Sequence, residues 1–175
     1  MRRIFLTAWT IWLFDFATKQ WAISSFDAQP QKVLGDFLSF TLVRNPGAAF
    51  SFATGFSILF ALLALAVVGG VVYYAKQITS SGWQITAGLL LGGVIGNLTD
   101  RIFREPGWLS GHVIDWIQIP NWPVFNLADC AIVVAAAVPV RVRSPVIPVG
   151  IVTVYVACPV LLTARTVVEG RPETV

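Results

Sequence analysis

Apolar residues fall in long blocks along this chain, separated by short polar stretches. The blocks run roughly over 4–23, 56–75, 84–98 and 125–140. Blocks near 20 residues predict α-helices that cross a hydrocarbon core about 30 Å thick, and the fourth is short for that task. Tyr73, Tyr74 and Lys76 close the second block as an interfacial anchor set. Between the first two blocks lies a different pattern, Val33 to Phe52. Its "FLSFTLVRNPGAAFSF" places β-branched and aromatic residues around an Asn-Pro-Gly turn and predicts strand-like structure. A loop after the third block carries Trp108, Trp116 and Trp122, indoles suited to a membrane–water boundary. Residues Val146 to Ala164 form a further apolar run broken by Pro148 and Pro159. That run reads equally as a fifth span, an interfacial segment or a tail. The predicted fold class is an all-α polytopic membrane protein of four transmembrane helices, with 1–143 as its domain and 144–175 as an apolar C-terminal segment.

Composition supports lipid as the solvent. The 175 residues are 56% hydrophobic and 12% charged, with a mean hydropathy of +0.74. A soluble domain carries about 25% charged residues to cover its core. Net charge is only +3, and its placement says more than its size. Arg2 and Arg3 precede the first block, and Arg141 and Arg143 follow the fourth. Basic flanks mark the cytoplasmic side, so both ends of a four-span domain lie inside, and no nucleic acid is implied. Asp15 and Lys19 interrupt the first block, and no clean small-residue cleavage site follows, so it reads as a retained helix. Cys130 and Cys158 offer neither a disulfide framework nor metal-ligand spacing.

In this topology the awkward polar residues converge. Asp15 and Lys19, four residues apart, share a helical face in the outer half of the first span. Asn97, Asp100 and Arg101 end the third span, Asn126 and Asp129 begin the fourth, Asp115 just precedes it, and Asn45 belongs to the first outer loop. All lie at one depth on one side. A carboxylate inside a membrane helix costs roughly 2.5–3.5 kcal/mol on insertion scales, so it faces a polar cavity and has a role there. Of nine acidic residues, four are here. Lys19 and Arg101 can each neutralise one, leaving two. Asp115 and Asp129, set among apolar neighbours, are the better candidates for a proton-sharing pair. One member would take a proton from water while the other donates to a carbonyl or leaving group. From the residues alone, an aspartic peptidase, an ion-coupled transporter and a structural ion-pair cluster all stand. Transport would also need polar residues in the cytoplasmic halves of the spans, and almost none are found. His112, the single histidine, reads as an interfacial loop residue. Cys130 reads as a small packing residue, and Gly92, Gly93 and Gly96 as sites of close helix contact.

Five motifs in order narrow the choice: "DFATK" at Asp15–Lys19, "RNPGAAF" at Arg44–Phe50, "GNLTDR" at Gly96–Arg101, "HVIDW" at His112–Trp116 and "FNLADC" at Phe125–Cys130. Together they resemble bacterial lipoprotein signal peptidase, also called signal peptidase II, over about three-quarters of the chain. The resemblance implies an intramembrane aspartic endopeptidase of the bacterial cytoplasmic membrane, with its site on the extracytoplasmic side. It would remove signal peptides from diacylglyceryl-modified prolipoproteins, before the lipidated cysteine, without a cofactor or metal. By the same resemblance Asp115 and Asp129 form the catalytic pair, and Asn45, Asn97, Arg101 and Asn126 line the substrate cleft. Asp15, Lys19 and Asp100 would be architectural, fixing helices and Arg101. The strand-like outer segment would be a small β-cradle. Membrane lipid, prolipoproteins and cyclic peptide inhibitors of the globomycin type would be the partners of a monomer. The stretch between Arg101 and Asp115 is longer than the family pattern suggests.

Overall fold

The computed structural model describes residues 1–47 and 57–137. The apolar segment 144–175, Arg141, Arg143, Cys158, Ala48–Phe50 of the second motif and the ends of the second and fourth spans (56 and 138–140) lie outside the described residues. Four helices and three strands appear in the order α1 (Arg2–Ser25), β1 (Gln31–Leu34), β2 (Leu38–Asn45), α2 (Ser57–Tyr74), α3 (Ser81–Phe103), β3 (Val113–Gln118) and α4 (Leu127–Ala137). A three-stranded antiparallel sheet, ordered β1-β2-β3, stands beside the helices, in keeping with the small β-cradle expected next to them; the label all-α does not describe the chain.

The helices are polar within and apolar without. Asp15, Lys19, Asp100, Asp115 and Asn126 are all buried, whereas Trp9, Phe14 and Leu62 are at least half exposed. Water would penalise such an arrangement, and lipid rewards it. Among the described residues, α2 is the helix long and apolar enough to cross a membrane by length and composition. The runs forming α1 and α3 are interrupted by the polar residues of the site.

Helix α3 is the central element, packed on α1, α2 and α4. Its glycines make this geometrically feasible. A Cβ on Gly92 would lie 2.7 Å from the Ala8 carbonyl oxygen of α1, and one on Gly93 would lie 2.5 Å from the Ala128 carbonyl oxygen of α4. A Cβ on Gly96 would sit 2.5 Å from Asp15 Oδ2. Small residues let backbones approach where no hydrophobic force drives helices together. Around this contact, Ile4, Ala8, Ala87 and Leu91 pack α1 on α3, and Val67, Val94 and Ile132 pack α2, α3 and α4.

The sheet sits at the C-terminal end of α1. Trp21 and Phe26 close on Phe40 of β2 and Trp116 of β3, with ring centroids 4.8–6.5 Å apart. The β1–β2 hairpin turns at Gly35–Phe37, where Gly35 has φ +53°, so the Asn-Pro-Gly sequence is not its turn. Instead Asn45 ends β2, and the Gly47 N–H donates to Asn45 Oδ1 at 2.8 Å. Asn, with an acceptor side chain poised for its own backbone two residues on, stops a strand as readily as it opens a hairpin. The segment holding Asp115, expected as loop, is strand β3. It pairs Asp115 with Val43 and Val113 with Asn45.

Gly96 tests the close-approach reading. Gly96→Val should destabilise the folded protein by about 1–3 kcal/mol through overpacking, read as a lowered thermal midpoint in detergent. Gly69, which has nothing within 4 Å of its would-be Cβ, should accept alanine with no loss.

Candidate active site

The site begins at the first turn of α4. Orphan N–H groups at a helix start need acceptors, and here two residues supply them. Asn126 Oδ1 accepts from the Asp129 N–H at 3.0 Å, while Asp129 Oδ2 accepts from the Asn126 N–H at 3.2 Å. That is a reciprocal capping box, with Asn and Asp in place of the commoner Ser/Thr and Glu. The third acceptor comes from another helix: Asp15 Oδ1 of α1 takes the Ala128 N–H at 2.9 Å. The sequence "FNLAD" thus orients the Asp129 carboxylate within its own helix turn.

Asn126 also joins the two aspartates. Its Nδ2 donates to Asp115 Oδ1 at 2.6 Å, and Asn45 Nδ2 donates to Asp115 Oδ2 at 2.9 Å. On the other side, Asn97 Nδ2 of α3 donates to Asp129 Oδ1 at 2.8 Å. Every oxygen of the two carboxylates therefore accepts a hydrogen bond from an N–H. Asp115 lies on β3, outside the helices, with its side chain almost entirely buried. Burial raises its pKa to about 7, the Asp129 carboxylate adds to the rise, and the Asn45 and Asn126 hydrogen bonds oppose it. Desolvation and a like charge both disfavour the ionised form.

Beneath the pair lies a buried ionic cluster. Lys19 Nζ sits 2.8 Å from Asp15 Oδ2 and 2.8 Å from Asp100 Oδ2, and it donates to Asn97 Oδ1 at 2.9 Å. Asp100 also accepts from the Ile114 N–H at 3.2 Å, tying α3 to β3 one residue before Asp115.

Eight of the nine site residues named from sequence join one bonded network, and Arg101 stands beside it. Asp100 does not pair with Arg101; its second cation is Arg104, whose Nε donates to Asp100 Oδ1. Arg101 turns away, donating to Ser57 Oγ of α2 at 2.7 Å with its guanidinium over the Phe60 ring, 5.6 Å from the centroid. Residues 100 and 101 point to different helix faces, whereas 100 and 104 share one. That spacing was the signal available for Arg104; nothing in the sequence pointed to Ser57. Asn126, expected to line a cleft, is completely buried, and its side-chain groups are engaged by Asp115, Asn97 and Asp129. His112 and Cys130 take no part in the network. Among the described residues no cluster of three or more His, Cys, Asp or Glu could hold a metal ion.

A family model described as signal peptidase (SPase) II matches residues 7–142. The chain is similar to the lipoprotein signal peptidase of Rhodococcus jostii (strain RHA1), 46% identical over 134 residues, which is 76% of this chain and 68% of that protein. It is likewise similar to the lipoprotein signal peptidase of Leifsonia xyli, 49% identical over 130 residues, 73% of this chain and 60% of the relative. That of Mycobacterium avium is 42% identical over 76% of this chain and 74% of its own length. The chain thus spans between three-fifths and three-quarters of these relatives. Among solved structures, a bacterial membrane enzyme determined by the in meso method superposes with a TM-score of 0.68 at 26% identity, covering 77% of this chain and 88% of its own.

Asn126→Ala should remove the cap and leave Asp129 and Asp115 short of donors. Loss of the cap costs about 1 kcal/mol, and unsatisfied buried partners add about 1–3 kcal/mol. A thermal melt should show it. Asn126→Asp restores the cap oxygen but sets a third carboxyl against Asp115 and Asp129, so it should not recover the loss.

Proposed function

The chain belongs to the signal peptidase II family, and from that premise we propose that it removes signal peptides from diacylglyceryl-modified prolipoproteins, using Asp115 and Asp129 as an acid–base pair. The observation that carries this reading is a pair of carboxylates on different elements, Asp115 buried and Asp129 partly buried, linked through one asparagine, with N–H donors on all their oxygens. A structural ion-pair cluster would place cations against both. Here the buried lysine bonds to Asp15 and Asp100, and its charge reaches the pair only across space.

Two carboxyls bridged by one asparagine side chain, with Asp115 buried, can share a proton. The ionised member accepts a proton from water as its oxygen attacks the scissile carbonyl. The protonated member donates to the carbonyl oxygen, forming a tetrahedral diol. The carboxyl that took the proton from water then gives it to the amine nitrogen, while the other takes a proton from a diol hydroxyl; the C–N bond breaks and the pair again holds one proton. Protein groups and water supply the whole reaction. Arg101, partly buried and held by Ser57, and Asn45, at the end of β2, are the polar groups placed to meet the peptide backbone. The pair, the sheet, the C-terminal end of α3 and the start of α4 lie at one end of the bundle. With Arg2 at the opposite, cytoplasmic end of α1, that end is extracytoplasmic. A diacylglyceryl group seated in the outer leaflet would bring the bond to this depth.

The test uses purified protein in detergent and a diacylglyceryl-modified prolipoprotein. Asp115→Asn and Asp129→Asn should each fold and each lose cleavage by at least about a hundredfold; full activity in either would overturn the assignment. The pH profile gives a second check. Asp115 is raised to about 7, so the shared proton is held below that value and lost above it. Cleavage should therefore decline as pH rises through roughly 7, and the unaltered enzyme should keep its activity at mildly acidic pH.

A further inference from the structure

We propose that Lys19 is a positioning residue for the aspartate pair, acting by fixing which way the Asn97 amide points; the inference rests on the peptidase reading above. An asparagine amide is symmetric in shape but not in chemistry, since one end donates and the other accepts. Asn97 lies between two groups that want opposite things from it. Lys19 Nζ, which can only donate, faces Asn97 Oδ1 at 2.9 Å, and the Asp129 carboxylate, which accepts, faces Asn97 Nδ2 at 2.8 Å. Asn126 Nδ2, also a donor, approaches Asn97 Oδ1 at 3.2 Å. Turned by 180°, Asn97 would set its oxygen against Asp129 and its NH₂ against the ammonium, losing all three bonds to like-against-like contacts.

The ammonium is itself over-determined. Asp15, Asp100 and Asn97 take its three donors, and the side chain is buried to 1% exposure. Because Asp15 also caps the Ala128 N–H, the position of Lys19 is set by the same helix start that carries Asp129. A flipped Asn97 would leave Asp129 Oδ1 facing an acceptor, so the carboxylate would rotate out of its capping-box geometry. The chain of direction runs from Lys19 to Asn97 to Asp129, and Asn126 extends it to Asp115. Lys19 thus touches neither carboxylate of the pair nor any substrate, yet decides how both are presented.

A charge-balanced variant tests this without burying a lone charge. Lys19→Met with Asp15→Asn removes one charge of each sign, keeps an oxygen for the Ala128 N–H, and leaves Asp100 with Arg104. Its kcat should fall on the order of tenfold to a hundredfold, part of what acid–base groups contribute, with KM within about twofold. The decisive readout is non-additivity with Asn97→Ala. If Lys19 acts through Asn97, adding Asn97→Ala to the double variant should slow it no further than Asn97→Ala alone. Multiplied effects would show that Lys19 acts by a route other than Asn97, whether structural or through its charge, and overturn the proposal. Should the double variant not fold, Asn97→Asp decides: it keeps an oxygen for Lys19 but has no donor for Asp129. Its kcat should fall by a similar factor with the thermal midpoint retained, and unaltered kcat would overturn the proposal. An unaltered parent that fails to cleave prolipoprotein would instead count against the peptidase reading, so the two failures are separate.

Discussion

One lysine ammonium, stripped of water, sets the terms for the rest of this molecule. Moving such a charge out of solvent costs several kcal/mol unless carboxylates and further hydrogen bonds surround it. Lys19 therefore requires Asp15 below it on α1 and Asp100 and Asn97 from α3 beside it. Those demands fix the rotation and depth of α1 against α3. They also require the close approach that Gly92 and Gly96 allow, because any larger residue would hold the two backbones apart. Asp100 passes the constraint to β3 through the Ile114 N–H, and Asp15 passes it to α4 through the Ala128 N–H. Each aspartate of the pair is thus one residue away from an element pinned to the lysine cluster.

Much of this was legible in the chain before any coordinates. Among the described residues each of the four apolar blocks overlaps a helix, and α2 is the one that is long and apolar enough to cross a membrane. The convergence of Asp15, Lys19, Asn97, Asp100, Asp115, Asn126 and Asp129 at one depth followed from topology alone, because polar residues in a hydrophobic block have few places to go. What escaped depended on contacts between distant segments. Strand β3 was hidden in a tryptophan-rich stretch that reads as interfacial loop until β2 offers it a partner. The hairpin turned at Gly35 and not at Asn-Pro-Gly, since the Asn45 side chain was needed at Asp115. Arg101 was assigned to an acid because it adjoins one in sequence, although helical geometry turns adjacent residues apart and brings Arg104 round instead.

The capping box at α4 shows how little the chain spends to place a reactive group. A helix start inside a protein must satisfy its N–H groups by some means. Here the satisfying residues are the site itself: Asn126 closes the turn and bridges the aspartates, and Asp129 closes it from the other side. A single local motif therefore does the work of secondary structure and of active-site alignment, and rigidity in one is inherited by the other.

The bond between Asp15 and Ala128 joins residues 113 apart in sequence. Its consequence is one of timing. A ribosome delivers α1 long before α4, so Asp15 enters the bilayer with an acceptor oxygen whose partner has not yet been made. Until α4 arrives, Asp129 is absent, Asn97 has no carboxylate to face, and Asp115 stands alone. On the proposed reading, a chain that ends before α4 lacks one of the two acid–base groups and has no means to cleave.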